Sequence, residues 1–96
     1  MFYVYILLSL TDYKFYIGFT QDVAKRVKEH NSGKVPSTQP RRPFEIVYYE
    51  AHLSQEDAQR RERYFKTSKG KTTLKQILKD SLENIRRTSG KHFIGG

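Results

Sequence analysis

The stretch that decides the fold is Phe2–Leu8, FYVYILL, followed after a short polar interval by Lys14–Phe19, KFYIGF. Aromatic and β-branched residues crowd both runs, and turn residues fill Ser9–Tyr13 between them. The two runs therefore read as the antiparallel strands of one hairpin. A loop of Ser9–Asp12 sets Leu8 against Tyr13 and Tyr5 against Tyr16. Alternation then puts Tyr3, Tyr5, Leu7, Tyr16 and Gly18 on one face, and Val4, Ile6, Phe15, Ile17 and Phe19 on the other. A slip of one residue in the pairing would undo this division.

Working outward, Thr20-Gln21-Asp22 offers caps for a helix over 22–31, with Val23 and Val27 as its apolar stripe. Arg26 and His30 lie four apart and project from one side of it. Asn31-Ser32-Gly33 ends the helix, and Lys34–Pro43, which holds all three prolines, is a loop. Phe44–Glu50 is a third strand. Ser54-Gln55-Glu56-Asp57 resembles a capping box, with Leu53 and Ala58 as a hydrophobic staple, and opens a helix to Lys66 through Ala58, Glu62 and Phe65. A further helix over Thr72–Arg87 carries Leu74, Ile77, Leu78, Leu82 and Ile85 at helical spacing. The order β-β-α-β-α-α predicts an α+β fold: a small three-stranded antiparallel sheet flanked by helices, in one domain over 1–87, with 88–96 as a loose tail.

The chain of 96 residues has room for a single domain, and its 7 Tyr and 6 Phe supply apolar bulk for a core. With no cysteine, a disulfide scaffold, a thiolate zinc site and a cysteine nucleophile are excluded. The longest apolar run, Met1–Leu8, falls far short of the roughly 20 residues of a membrane helix. No basic residue precedes it and no cleavage site follows, so a secretory leader is not expected and a reducing cytoplasm is. The net charge of +8 is unevenly spread: residues 1–59 hold 7 basic and 7 acidic groups, residues 60–96 hold 11 and 3. Such a field suits a polyanion, nucleic acid first among them; a soluble protein with a basic tail is the plainer alternative.

Tyr3-Val4-Tyr5, Tyr16-Ile17-Gly18, Arg26 and His30, Thr38, Arg41-Arg42-Pro43 before Val47-Tyr48-Tyr49-Glu50, then Ala58-x-x-x-Glu62 and Lys66, occur in an order that resembles the GIY-YIG nuclease superfamily. The resemblance covers residues 2–80 and is strongest toward small stand-alone members related to the excision-repair nuclease domain. It implies a metal-dependent endonuclease that hydrolyses DNA phosphodiester bonds in repair or recombination, with Mg²⁺ or Mn²⁺ as cofactor. Two departures stand out. Tyr3 occupies the place of the first glycine, and Phe19 follows the YIG where excision-repair relatives carry a lysine; Lys14 and Lys25 are the nearest substitutes.

Phosphodiester hydrolysis needs an activated water, neutralised charge at phosphorus and help for the departing oxygen. Glu62, on the helix side of Ala58 and Phe65, faces inward; either a divalent ion or a salt bridge to Arg26, Arg61 or Lys66 would relieve that burial, and the resemblance favours the metal. Arg26 offers a permanently charged fork for phosphate oxygens. His30 either bonds or relays the Tyr5 proton, or is a satisfied structural histidine. The resemblance implies that Tyr5 takes the proton of the attacking water, directly or through His30, and that Tyr16 positions the water or the scissile phosphate. Nearby cations are expected to lower the Tyr5 pKa from its usual value near 10. Gly18 removes a side chain where substrate backbone approaches.

Phosphate contacts are expected from Lys14, Lys25, Lys34, Arg41, Arg42, Lys69, Lys71 and Lys75. Without an appended sequence reader, a preference for branched or single-stranded DNA follows, and a recruiting protein partner suits so small a nuclease. The rival readings are a nucleic-acid-binding module that keeps the fold without turnover, a basic ribosome- or RNA-associated protein, and a subunit whose basic tail docks an acidic protein surface.

Overall fold

The computed structural model describes the chain as far as Gly95, with side chains described for residues 1–88. Three strands, β1 (Phe2–Ser9), β2 (Phe15–Thr20) and β3 (Phe44–His52), form an antiparallel sheet in the order β2-β1-β3. Four helices accompany it: α1 (Val23–Asn31), α2 (Gln55–Phe65), α3 (Ser68–Ile77) and α4 (Lys79–Gly95), with a short 3₁₀ turn over Gln39–Arg41. The expected α+β architecture is the observed one.

β1 has a neighbour on each side and is apolar on both faces, as a strand covered from above and below must be. One face carries Tyr5 and Leu7 with Phe44, against Tyr16 and the Val23 and Val27 stripe of α1. The other carries Val4, Ile6 and Ile17, packed on Ala58, Phe65, Leu74 and Leu78 of the later helices. The sheet is thus the middle of three layers, with α1 alone on one side.

The hairpin register differs from the expected one. Leu8 pairs with Phe15 and Tyr5 with Gly18, two residues on from the pairing with Tyr16. The turn is longer because Ser9 organises it: the Ser9 hydroxyl accepts from the Thr11 and Asp12 amides at 3.1 and 3.2 Å, and Tyr13 closes it with φ 55°. A shift of two preserves the alternation, so every residue stays on its expected face.

The helix expected over Thr72–Arg87 is two. Thr67 caps α3 by accepting from the Gly70 amide at 3.0 Å, which starts it at Ser68. A Cβ on Gly70 would collide with the Tyr64 carbonyl, so glycine lets α3 fold back directly against the end of α2. At Leu78 (φ −102°, ψ 16°) the helix bends, while Leu78 and Leu82 still donate to the Leu74 and Leu78 carbonyls. The bend keeps Leu74 and Leu78 buried and leaves Ile77, expected in the stripe, 46% exposed. α4 carries helical backbone through the segment expected as a loose tail, to Gly95; the side chains of 89–96, and Gly96 entirely, lie outside the described residues.

Two side-chain clamps hold the helices in register with the sheet. Asn31 at the end of α1 imitates a strand neighbour: its amide donates to the Phe44 carbonyl at 3.0 Å and its oxygen accepts from the Phe44 amide at 2.7 Å. On the opposite face, Arg61 of α2 grips Glu50 of β3 through Nε and Nη2 at 2.9 and 3.0 Å and lies over the Phe65 ring at 4.3 Å. Tyr48 and His52 also donate to Glu50, at 2.8 and 3.2 Å. Burial works to raise the Glu50 pKa, yet these donors together hold it below the usual carboxylate value.

Candidate active site

Tyr5 stands at the centre of β1, 1% exposed, directly opposite Gly18. A Cβ at Gly18 would collide with Cζ and the hydroxyl of Tyr5. The glycine therefore makes room for the phenol of its own hairpin, where the sequence suggested room for substrate backbone.

The Tyr5 hydroxyl lies 3.0 Å from Nε2 of His30, which α1 carries in its last turn, fully buried. Tyr16, on the same sheet face, completes an aromatic cluster: its ring centroid is 4.7 Å from His30 and 6.2 Å from Tyr5. Nδ1 of His30 meets the hydroxyl of Thr38, itself 1% exposed, at 2.9 Å.

Burial dominates the electrostatics of the phenol. It pushes the Tyr5 pKa up to about 12; Arg26 draws it down, while Tyr16 and Glu62 push it further up. The expected lowering by cations is therefore corrected: one neighbouring guanidinium does not offset desolvation. Burial, then the Arg26 charge, also keep the His30 pKa below its ordinary value, with Glu29 opposing. The imidazole is accordingly neutral near pH 7.

Arg26 sits one turn before His30, its side chain 36% exposed and its Nη1 3.0 Å from Oε1 of Glu29. Glu62 lies on α2 between the fully buried Ala58 and Phe65, its side chain 20% exposed and paired with Lys66 at 3.1 Å. Its charge is felt at the Tyr5 hydroxyl, as is that of Arg26. The structure thus brings Tyr5, Tyr16 and His30 into contact and sets Arg26 and Glu62 within electrostatic reach.

Among the described residues no cluster of three or more His, Asp or Glu forms a metal cage. Glu62 offers one carboxylate within electrostatic reach of Tyr5, and the general chemistry of Mg²⁺, which takes one or two carboxylates and completes its shell with water and phosphate oxygens, is compatible with such a donor.

The basic residues divide by position. Lys14, Arg41, Lys71 and Lys75 line one cavity of about 780 Å³ between the hairpin turn and α3–α4, over an apolar floor of Leu8, Phe15 and Leu82. Lys79 and Arg86 line it too. Their signal was in the sequence, since Lys71, Lys75 and Lys79 recur every fourth residue along helical stretches. Arg41 is partly committed: Nε bonds Asp12 at 2.7 Å, and Nη2 bonds the Lys14 carbonyl at 3.1 Å. Lys25, Lys34, Arg42 and Lys69 are exposed and lie outside this cavity.

Comparison with known proteins gives the class of domain that carries this fold and aromatic site, the GIY-YIG nuclease type. The GIY-YIG catalytic domain family matches residues 1–76, and the chain belongs to that family. Similar proteins include a UPF0213 protein of Pediococcus acidilactici, 38% identical over 79% of this chain and 80% of the relative. The UPF0213 protein YazA of Bacillus subtilis is 34% identical over 84% of this chain and 85% of its own. The solution NMR structure of a UPF0213 protein from Bacillus halodurans is 40% identical, with a TM-score of 0.50 over 80% of this chain and 85% of that one.

Proposed function

We propose that this chain is a metal-dependent endonuclease that hydrolyses DNA phosphodiester bonds, selects branched or single-stranded substrates, and serves repair or recombination in the cytoplasm. Residues 1–87 form the nuclease unit. The observation that carries this reading is the buried contact of 3.0 Å between the Tyr5 hydroxyl and His30 Nε2.

A phenol with a pKa of about 12 does not ionise alone near neutrality. It acts as a base only if its own proton leaves as the new one arrives. The attacking water gives a proton to Tyr5 oxygen, Tyr5 gives its proton to His30 Nε2, and the water oxygen bonds phosphorus as the bond to the 3′ oxygen breaks, the 3′ oxygen taking a proton from solvent water as it leaves. His30 ends as imidazolium, which its neutral resting state permits. Arg26 binds the non-bridging oxygens, exchanging Glu29 for phosphate, and Tyr16 orients water or phosphate. Glu62 would hold a divalent ion, Mg²⁺ or Mn²⁺, in exchange for its Lys66 partner, and the ion would supply charge neutralisation at the phosphate. Lys14, Lys71 and Lys75 hold flanking phosphates along the basic cavity, with Arg41 beside them; Lys25, Lys34, Arg42 and Lys69 extend the grip.

Purified protein with Mg²⁺ or Mn²⁺ is expected to cut at least one member of a panel of flap, junction, hairpin and single-stranded DNA. Glu62→Ala should stop cutting while the circular dichroism stays unchanged. Cutting that survives the substitution refutes the assignment. A second reading, a nucleic-acid-binding module for DNA or RNA without turnover, is favoured by the Lys66–Glu62 pair, which already partners the carboxylate. It predicts binding that persists in chelator and no cleavage of any substrate.

A further inference from the structure

Three buried side chains, Tyr5, His30 and Thr38, form a connected line, and the polarity of that line follows from counting protons. A neutral imidazole has one donor and one acceptor nitrogen. If Nε2 carried the proton, it would donate to Tyr5, and the phenol's own hydrogen would need another acceptor. Among the described residues the Tyr5 hydroxyl has no acceptor at hydrogen-bond distance except His30, since the nearby Arg26 guanidinium can only donate, and a buried hydroxyl left without an acceptor is costly. With the proton on Nδ1, every hydrogen is placed. Tyr5 donates to Nε2 at 3.0 Å, Nδ1 donates to Thr38 Oγ1 at 2.9 Å, and the Thr38 hydroxyl donates to the Val35 carbonyl at 3.3 Å.

The local fold suits Thr38 to this task. Thr38 precedes the 3₁₀ turn at Gln39–Arg41 in the cap position, yet its hydroxyl makes no capping bond and turns inward instead. Its backbone is held on both sides, by its amide to the Val35 carbonyl at 3.1 Å and by the Arg41 amide to its own carbonyl at 2.9 Å.

We infer that Thr38 is a positioning residue that holds His30 in the Nδ1–H tautomer, so that the bare Nε2 faces the Tyr5 hydroxyl. Resting on the nuclease reading for its catalytic consequence, it makes Thr38 the residue that decides whether Tyr5 can lose its proton. It acts through His30 and does not touch substrate.

Two-bond ¹H–¹⁵N correlation of the histidine rings in the intact chain, above the His30 titration, reads the tautomer without metal or DNA. The wild-type spectrum should show His30 protonated at Nδ1. Thr38→Val, of the same shape without the hydroxyl, should admit the Nε2–H form and slow cleavage roughly 10- to 100-fold. Thr38→Ser should restore both the wild-type tautomer and the rate. An Nε2–H tautomer in the wild type overturns the inference, as does a Thr38→Val protein that keeps Nδ1–H or cuts at the wild-type rate. If Thr38→Val fails to fold, the wild-type and Thr38→Ser spectra decide. A chain that cuts no DNA but shows the Nδ1–H signature refutes the nuclease reading alone.

Discussion

Gly18 and Tyr5 face each other across the hairpin, and the space where a Gly18 side chain would stand is filled by the Tyr5 phenol. The substitution Gly18→Ala forces that ring aside. It is expected to destabilise the fold by about 1–3 kcal/mol and to pull the hydroxyl off His30. Urea denaturation measures the first effect; slowed cleavage with unchanged DNA affinity measures the second.

Glu62→Gln separates charge from shape. The Lys66–Glu62 pair is partly solvated, so its loss should change stability by less than about 1 kcal/mol. Divalent-dependent cleavage should nevertheless fall by roughly 100-fold or more. A thermal melt beside a cleavage time course distinguishes the two, and equal losses in both would mean that Glu62 is structural.

The acid limb of activity should belong to His30. Its pKa lies below 6.5, chiefly through burial, so the neutral form needed to accept the Tyr5 proton persists until the pH falls beneath that value. The rate should be flat above about 6.5 and decline only below it. The same displacement makes stability greatest above 6.5, and it declines as the pH falls from there toward the folded-state value, because the unfolded chain takes up the proton first. His30→Gln should remove this stability component and slow cleavage roughly 100-fold.

Arg61→Ala should leave Glu50 half-buried with only Tyr48 and His52 as donors. A loss of about 1–3 kcal/mol follows, toward the lower end because the Arg61 side chain is 36% exposed. The folded Glu50 pKa lies below 4.5, so its contribution is present above that value and is lost as the pH falls through the folded one. Asp12, held at about 2 by Arg41, loses its contribution between 3.8 and that value. Acid titration of the melting temperature should therefore show the wild type and Arg61→Ala converging as the pH falls from 4.5 through the folded-state value of Glu50.

The division of the hairpin into two faces was legible because alternation survives an error of two residues in register, and the error itself came from Ser9, whose hydroxyl lengthens the turn. The bend at Leu78 was not legible: leucines at 74, 78 and 82 have the same spacing along a straight helix, and the backbone hydrogen bonds run through the bend. Tyr5, Tyr16 and His30, which lie in contact, could be picked out by type and order. What escaped was their environment. Basic composition suggested a lowered Tyr5 pKa, whereas the Gly18 recess and the cover of α1 desolvate the phenol more than Arg26 compensates. The commitment of Arg41 to Asp12 joins residues 29 apart in sequence, which no local pattern reports.

Among the described residues β1 is the only strand flanked on both sides, and Tyr5 rides at its middle. A strand in that position is the last to lose its amide protection, so hydrogen exchange at Tyr5 should track global unfolding. On the nuclease reading, any opening for substrate must then come from breathing of the outer layers, with the phenol as the stationary anvil against which the other groups close.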